Sequence, residues 1–423
     1  MKARNFAYEA LCQICIHKTY SNLYLRKELH RVDDEEQNFA TQLVYGTLQN
    51  ARYCRYQWID LAKSMPKEEI AILLDMSIFQ ICFLDRLPDY AVVNEMVELA
   101  KKNHGKKVGA FVNAVLHSVL KRHLRSLPDD EVERLAIETS HPTWLIRMWN
   151  AQYGFETCQK IAHSNMITRR MCVRYNCMKT SAEELMQNDS AFTKGSACPS
   201  SLYYDDAKNL LTSKYYQEGF VSIQDEASQM VAFFVDPKPN EKILDVCSAP
   251  GTKTCHMAER MHDQGSILCG DIHAHRVALI KEGAKRLGLS CIEARVMDAT
   301  ILDGLDEESF DRVLCDVPCS GYGVLGRKSD IKYHMKSEDM DAIIPIQKAI
   351  LQKASMMVKK GGILVYSTCT LNKKENEKQV EKFLKENTDF SLVDERCVFP
   401  FEFGSDGFYM AKLKKAEAND LTN

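Results

Sequence analysis

From Val221 onward the chain runs in a strand–loop–helix rhythm, and no other feature narrows its fold as much. Strands are expected at Lys242–Val246, Ser266–Gly270, Cys291–Val296, Arg312–Cys315 and Gly362–Tyr366. Helices are expected at Thr254–Met261, His275–Leu287 and Gln347–Val358. Such alternation builds a parallel sheet covered by helices on both faces. Ligands of these sheets sit beyond the carboxyl ends of the strands, so the residues just after each strand carry the chemistry.

The rest of the chain has a different character. Residues 1 to about 128 place apolar side chains at helical spacing, as in Phe6, Leu11, Ile14 and Cys15, or Phe39 and Leu43. Ile70 to Leu84 is apolar nearly all round, which predicts the buried central helix of a bundle, stopped by Pro88. Val92–Ala100 and Val108–Leu120 supply two more helices around the polar stretch Lys101–Lys107. This region holds 18 Lys and Arg against 14 Asp and Glu, while the whole chain has a net charge of -3. Any hold on a phosphate backbone must therefore be local. Lys101, Lys102, Lys106, Lys107, Lys121, Arg122 and Arg125 are either such a patch or a solvated face. Cys12 and Cys15 have CxxC spacing inside a helical pattern, with no second pair, and read as core. Residues 129–220 form a small α+β connecting segment. Asp129–Glu133 ends a linker, Trp144–Tyr153 is a helix closed by Gly154, Met171–Tyr175 is a strand and Ser181–Gln187 is a helix.

The first strand of the C-terminal region runs into Cys247-Ser248-Ala249-Pro250-Gly251-Thr252-Lys253 and then a helix. A turn of small residues lets backbone approach a ligand, and a helix N-terminus offers free N–H groups to an anion. The dinucleotide fingerprint needs three glycines, and only Gly251 is present. The P-loop needs Gly followed directly by Lys, and here Thr252 intervenes. S-adenosylmethionine remains, with a carboxylate for the helix N-terminus and no phosphate to cradle. Asp271 ends the second strand where ribose hydroxyls would lie, and Asp298 follows the third where adenine would lie. Singly, each is also a cap or turn former.

The fourth strand ends in Asp316-Val317-Pro318-Cys319-Ser320-Gly321 and the fifth in Tyr366-Ser367-Thr368-Cys369-Thr370. Enzymes that methylate exocyclic amines place an aromatic residue after Asp/Asn-Pro-Pro, and that residue is missing here. Carbon 5 of a pyrimidine is a poor nucleophile until a thiolate adds to carbon 6 and makes carbon 5 enamine-like. A carboxyl at N3 steadies the adduct, which suits Asp316. A base must then take the carbon 5 proton so that the thiol can leave. Two thiols and one carboxyl cover these steps, without deciding which thiol attacks.

Composition bounds the setting. With 423 residues, 45% hydrophobic and 27% charged, the chain is globular and long enough for two or three domains. Its 16 cysteines are scattered through apolar segments, as expected of a reduced, cytoplasmic protein. No apolar run reaches the ~18 residues of a membrane span, and the N-terminus has no signal-peptide core.

These motifs resemble the Sun group of RNA cytosine-C5 methyltransferases. Cys247–Lys253, Asp316–Gly321 and Ser367–Thr370 are similar to its cofactor and two-cysteine motifs. Tyr24-Leu25-Arg26, Val44-Tyr45-Gly46-Thr47-Leu48 and Phe111–Leu116 resemble a NusB-like helical domain. His141–Leu145, Arg174-Tyr175-Asn176 and Gln224–Ser228 resemble the connecting segment, and Arg327–Lys332 and Asp406–Tyr409 extend the likeness to about residue 415. The whole pattern is similar to bacterial enzymes of this group that act on 16S rRNA.

The resemblance implies a multidomain chain: an all-α NusB-like RNA-binding bundle (1–128), the α+β connecting segment that positions RNA (129–220), an α/β Rossmann-like methyltransferase domain (221–415) and a polar tail (416–423). It implies Cys369 as nucleophile, Cys319 as the residue for proton removal and product release, and Asp316 as the cytosine N3 contact. Cys247, Ser248, Ala249, Pro250, Gly251, Thr252, Lys253, Asp271, Asp298 and Asp316 would hold S-adenosylmethionine, with no metal. Ser248 and Thr252 stand where the group has Ala and a second Gly; both are small, and the turn is expected to survive. The expected partner of this cytoplasmic monomer is 16S rRNA, with no DNA and no membrane. The competing readings are a tRNA or another rRNA site as target, and a non-catalytic NusB-like RNA-binding factor.

Overall fold

The computed structural model describes residues 1–85, 87–334 and 336–417. Residues 418–423 of the expected polar tail lie outside the described residues. Contacts divide the chain into two units, Met1–Ile167 with Lys328–Met335, and Thr168–Arg327 with Lys336–Asn423. Sequence character changes at 128/129 and 220/221, whereas the contact boundary falls at 167/168.

The first unit is helical: α1 (Ala3–Cys15), α2 (Ser21–Glu28), α3 (Gln37–Trp58), α4 (Glu68–Phe83), α5 (Asp89–His104), α6 (Lys106–Arg122), α7 (Glu131–Glu138), α8 (Thr143–Tyr153) and α9 (Phe155–Ser164). Every residue from Ala71 to Gln80 in α4 is buried, as the all-round apolar pattern predicts. The helix ends at Phe83, and Pro88 is the N-cap of α5 rather than the stop. Its fixed φ suits a helix entrance. The expected linker end at 129–133 instead starts α7, where the Asp130 carboxylate accepts from the Glu133 N–H. Arg52 of α3 reaches the His141 carbonyl and Glu133, which ties α7 and α8 to the bundle. Cys12 and Cys15 pack against the core, and burial pushes their thiols up to about 11 and about 12.

The second unit opens with β1 (Cys172–Tyr175), α10 (Ala182–Asn188), β2 (Phe192–Lys194), β3 (Ser201–Tyr204), α11 (Lys214–Gln217) and β4 (Val221–Ile223), whose strands form an antiparallel sheet in the order β2-β3-β1-β4. It continues through α12 (Glu226–Val235), β5 (Lys242–Asp245), α13 (Thr252–Arg260), β6 (Ser266–Asp271), α14 (Ala274–Leu287), β7 (Ile292–Val296) and β8 (Phe310–Asp316). After the one-turn α15 (Ile331–His334), which belongs to the first unit, come α16 (Ser337–Met356), β9 (Val358–Thr368), α17 (Glu377–Glu386), β10 (Phe390–Val398), α18 (Pro400–Phe403) and β11 (Phe408–Lys415).

The large sheet has the order β10-β11-β9-β8-β5-β6-β7. It is mixed rather than all parallel: β5 to β9 pair in parallel, while β11 runs antiparallel to both β9 and β10. β10 is mostly exposed, as an edge strand can be, and so lacks the apolar pattern that announces the others. α16 begins ten residues before the expected Gln347 and carries Pro345 inside it, where proline removes one backbone donor. Neighbouring strands β5, β8 and β9 deliver their C-terminal loops to one place.

Candidate active site

Strand register sets the geometry. Asp316 of β8 stands opposite Ser367 of β9 in a parallel ladder, so Cys319 and Cys369, three and two residues further on, emerge side by side. Their sulfur atoms are 3.3 Å apart. Both line a cleft of about 390 Å³ together with Cys247, Ala249, Asp271, Asp298, Asp316 and Pro318.

The loops that carry the thiols are fastened together. The Gly323 N–H donates to the Cys369 carbonyl at 3.1 Å, and the Gly407 N–H donates to the Gly323 carbonyl at 2.7 Å. A Cβ on Gly323 would stand 2.0 Å from the Gly407 carbonyl oxygen, so only glycine lets these segments approach. Thr370 Oγ1 lies 2.6 Å from Ser320 Oγ and accepts from the Tyr322 N–H.

Asp316 is held on both sides. One carboxylate oxygen accepts from Lys253 Nζ at 2.7 Å and the other from Ser367 Oγ at 2.8 Å. Lys253 comes from the first turn of α13, so the turn after β5 reaches the thiols through a salt bridge. Burial works against the Lys253 charge, yet Asp316, with a smaller contribution from Cys369, raises its pKa above the ordinary value. The Cys319 thiol is pushed well above its ordinary value, first by its hydrogen bond to Cys369, then by burial, then by the charge of Cys369 and of Glu375.

The turn itself is intact. Ser248 donates through both N–H and Oγ to the Gly270 carbonyl at 2.9 Å, and the Gly251 N–H closes on the Ser248 carbonyl at 2.7 Å. Gly251 alone takes positive φ, at 99°, while Thr252 is already helical. The Ser and Thr substitutions therefore cost this backbone nothing. Ser248, Pro250, Gly251, Thr252 and Lys253 support the cleft without lining it. Beneath the turn, the Thr254 hydroxyl donates to the fully buried Asp245, whose carboxyl is pushed up to about 7 by burial and then by Asp316. Arg174 of β1 donates to the Thr252 carbonyl at 3.0 Å and makes a fully buried pair with Glu259 of α13 at 2.8 Å.

Asp271 and Asp298 lie in the cleft and also act as turn formers. Asp271 accepts from the His273 N–H and pairs with Arg276 at 2.9 Å, and Asp298 accepts from Thr300 N and Oγ1. Sequence reasoning missed Arg276, Ile272, Met297 and Ile346 in the lining. It also missed Asp245, hidden in an apolar strand. Spacing alone gave no sign of them; for Ile346 the reason is that α16 reads as starting at Gln347. Of the basic cluster near residues 101–125, Lys101 pairs with Glu98, Arg122 with Asp60, and Arg125 stacks over Tyr56, while Lys102, Lys106, Lys107 and Lys121 are exposed. Among the described residues no group of three or more His, Cys, Asp or Glu is placed to hold a metal, and no helix is long and apolar enough to cross a membrane.

Comparison with known proteins places this geometry in a family. Residues 232–414 match the model of the 16S rRNA methyltransferase RsmB/F family, residues 1–121 that of the NusB family, and residues 141–208 the ferredoxin-like domain of RsmF/B-like methyltransferases. The chain is 39% identical to the Bacillus subtilis protein named "Probable ribosomal RNA small subunit methyltransferase B", over 97% of this chain and 98% of that protein. It is 32% identical to ribosomal RNA small subunit methyltransferase B of Vibrio cholerae, over 81% of this chain and 80% of that one. The solved structure of PH0851 shares the fold, with a TM-score of 0.81 and 23% identity over 97% of this chain and 99% of that one. With its two-cysteine cleft on a Rossmann-like sheet and a NusB-like helical region before it, the chain belongs to the RsmB/F family of 16S rRNA methyltransferases.

Proposed function

We propose that this protein methylates carbon 5 of a cytosine in 16S rRNA through a covalent adduct between Cys369 and carbon 6. The observation that carries the reading is the pair of sulfur atoms 3.3 Å apart on the wall of a cleft that also holds Asp316. Sulfurs in contact cannot flank a base; they meet it from one side, where carbons 5 and 6 are adjacent.

The cleft suits S-adenosylmethionine. Its volume of about 390 Å³ lies within the ~300–1,000 Å³ of small-molecule sites. Asp271 and Asp298 offer acceptors for hydroxyl and amino groups, and Met297, Ala299 and Ile350 offer apolar surface for a purine. When bound there, S-adenosylmethionine supplies an electrophilic methyl group to carbon 5.

The residues perform the remaining steps. Cys369, as thiolate, bonds to carbon 6 and pushes the pair of electrons toward N3. N3 takes a proton from solvent, and Asp316, held by Lys253 and Ser367, accepts from the N–H so formed. Once Cys369 is bound to carbon, the chief influence holding the proton on Cys319 is gone. Cys319 then ionises to solvent, takes the carbon 5 proton, and the carbon 6–sulfur bond breaks to restore the Cys369 thiolate. N3 gives back its proton, and one proton is released per methyl transferred. The target base enters by leaving its stack.

The helical region over 1–128 and the connecting segment over 129–220 hold the RNA in this reading, supported by their likeness to NusB and ferredoxin-like domains. At a finer level we take cytosine 967 of 16S rRNA as the target, on the resemblance to the 16S rRNA enzymes of this group and not on the relatives' names. Bisulfite sequencing of total RNA from cells with and without this protein tests both levels. One protected cytosine in 16S rRNA is the expected difference. A difference in tRNA, or at another rRNA position, redirects the substrate, and none anywhere removes the activity.

A further inference from the structure

Behind the two thiols sits a carboxylate that the proposed reaction does not touch. Glu375 lies in Lys373-Lys374-Glu375-Asn376-Glu377, a run that reads as solvated charge, and yet it is fully buried. Its Oε1 accepts from Ser320 Oγ at 2.7 Å and Asn372 Nδ2 at 2.9 Å. Its Oε2 accepts from Ser320 N at 2.9 Å and Gln347 Nε2 at 3.0 Å. The amide orientations are locked: Gln347 Nε2 also donates to the Pro318 carbonyl, and Asn372 Oδ1 accepts from the Lys374 N–H.

Four donors converge, and an ionised carboxylate is the side chain that only accepts. A neutral acid or an amide would press a hydrogen against one of them. Among the described residues no lysine or arginine forms an ion pair with Glu375. A buried charge without a counter-cation is costly, so the network is arranged around the charge itself.

We infer that Glu375 is a positioning residue for the cysteine pair: its carboxylate ties the loop after β8 to the loop after β9, holds Cys319 against Cys369, and keeps their shared proton on Cys319. This rests on the reading of Cys369 as the nucleophile. The charges around the pair are arranged accordingly. Glu375 accepts from the N–H and hydroxyl of Ser320, the residue after Cys319, and its charge helps raise the Cys319 pKa. The charge of Cys369 in turn helps raise the pKa of the Lys253 ammonium on α13. Asp316 pairs with that same ammonium, and Tyr366, also near Cys319 and Glu375, is held neutral by burial. An anion on one side and a cation on the other drive the proton toward Cys319 and leave Cys369 as thiolate.

The test uses full-length protein carrying Cys369→Ser, so that one thiol of the pair remains. The pH dependence of Cys319 alkylation by iodoacetamide is followed by peptide mass spectrometry, alone and combined with Glu375→Gln or Glu375→Asp. Removing the charge lowers the alkylation midpoint by about one pH unit, a tenfold gain in thiolate below it. The aspartate variant, which keeps the charge and spoils the packing, leaves the midpoint in place. Glu375→Asn is the second charge-free variant if the glutamine variant fails to fold by near-ultraviolet circular dichroism. An unchanged midpoint without the charge, or an equal shift with aspartate, overturns the inference. The readout needs neither RNA nor cofactor, so a wild-type protein that does not methylate RNA would refute the proposed reaction and leave this result standing.

Discussion

Asp316 of β8 and Lys253 of α13 are joined by a 2.7 Å salt bridge that links the turn after the first strand of the large sheet to the loop bearing Cys319. Residues expected to serve cofactor and base separately therefore form one unit. Asp316 cannot change partners without releasing Lys253, whose raised pKa owes a smaller part to Cys369.

The nucleophile assignment makes a direct prediction. Cys369→Ala abolishes methyl transfer from labelled S-adenosylmethionine to 16S rRNA, and abolishes any covalent RNA complex. Cofactor binding, followed by the rise in Tm it causes, persists, because the acids of the cleft remain. Residual methylation near the wild-type rate would assign attack to another group.

Arg174 and Glu259 are buried to 0% and 1% exposure, and Arg174 also holds the carbonyl of Thr252 at the start of α13. Arg174→Met leaves Glu259 as an uncompensated buried charge, a loss of about 3–5 kcal/mol in urea unfolding. The double variant with Glu259→Met recovers most of it, because no charge is left stranded. Both weaken cofactor binding, since the carbonyl anchor is gone in each; affinity restored along with stability would separate Arg174 from the cofactor turn.

Lys332, in the one-turn helix of the first unit, has its ammonium buried with no hydrogen-bond partner among the described residues, and burial lowers its pKa to about 7. Between about pH 7 and the ordinary lysine value of 10.5 the unfolded chain binds more protons than the folded one, so this group makes stability rise with pH. Lys332→Met therefore stabilises by about 1–3 kcal/mol at pH 7, where a buried polar group lacks compensation. The advantage shrinks toward pH 10. Melting curves of both proteins across this range check the sign; a gap that widens with pH would contradict it.

The parts of the fold legible in the sequence are those whose pattern is local. The turn Cys247–Lys253, the loops bearing Cys319 and Cys369 and the bundle helix around Ala71–Gln80 announce themselves through small residues or unbroken apolar character. What stayed hidden depends on distant partners. β10 reads as polar because its neighbour β11 covers only one edge, and the antiparallel end of the sheet is lost with it. Pro345 masks the first half of α16, which contributes Ile346 to the cleft. Glu375 looks like surface charge until donors from its own loop and from two distant segments, the loop after β8 and α16, surround it. The grouping of residues 328–335 with the helical unit is likewise a property of contacts, not of composition.

The most direct test of the account uses Cys319→Ala incubated with 16S rRNA and S-adenosylmethionine, resolved on a denaturing gel, then digested with protease and nuclease for mass spectrometry. Without its partner thiol the enzyme cannot complete release, so a slow-migrating complex accumulates. The peptide containing Cys369 then carries a methylated cytidine nucleotide. A nucleotide attached to any other cysteine, or no complex while methylation proceeds, would contradict the two-thiol mechanism.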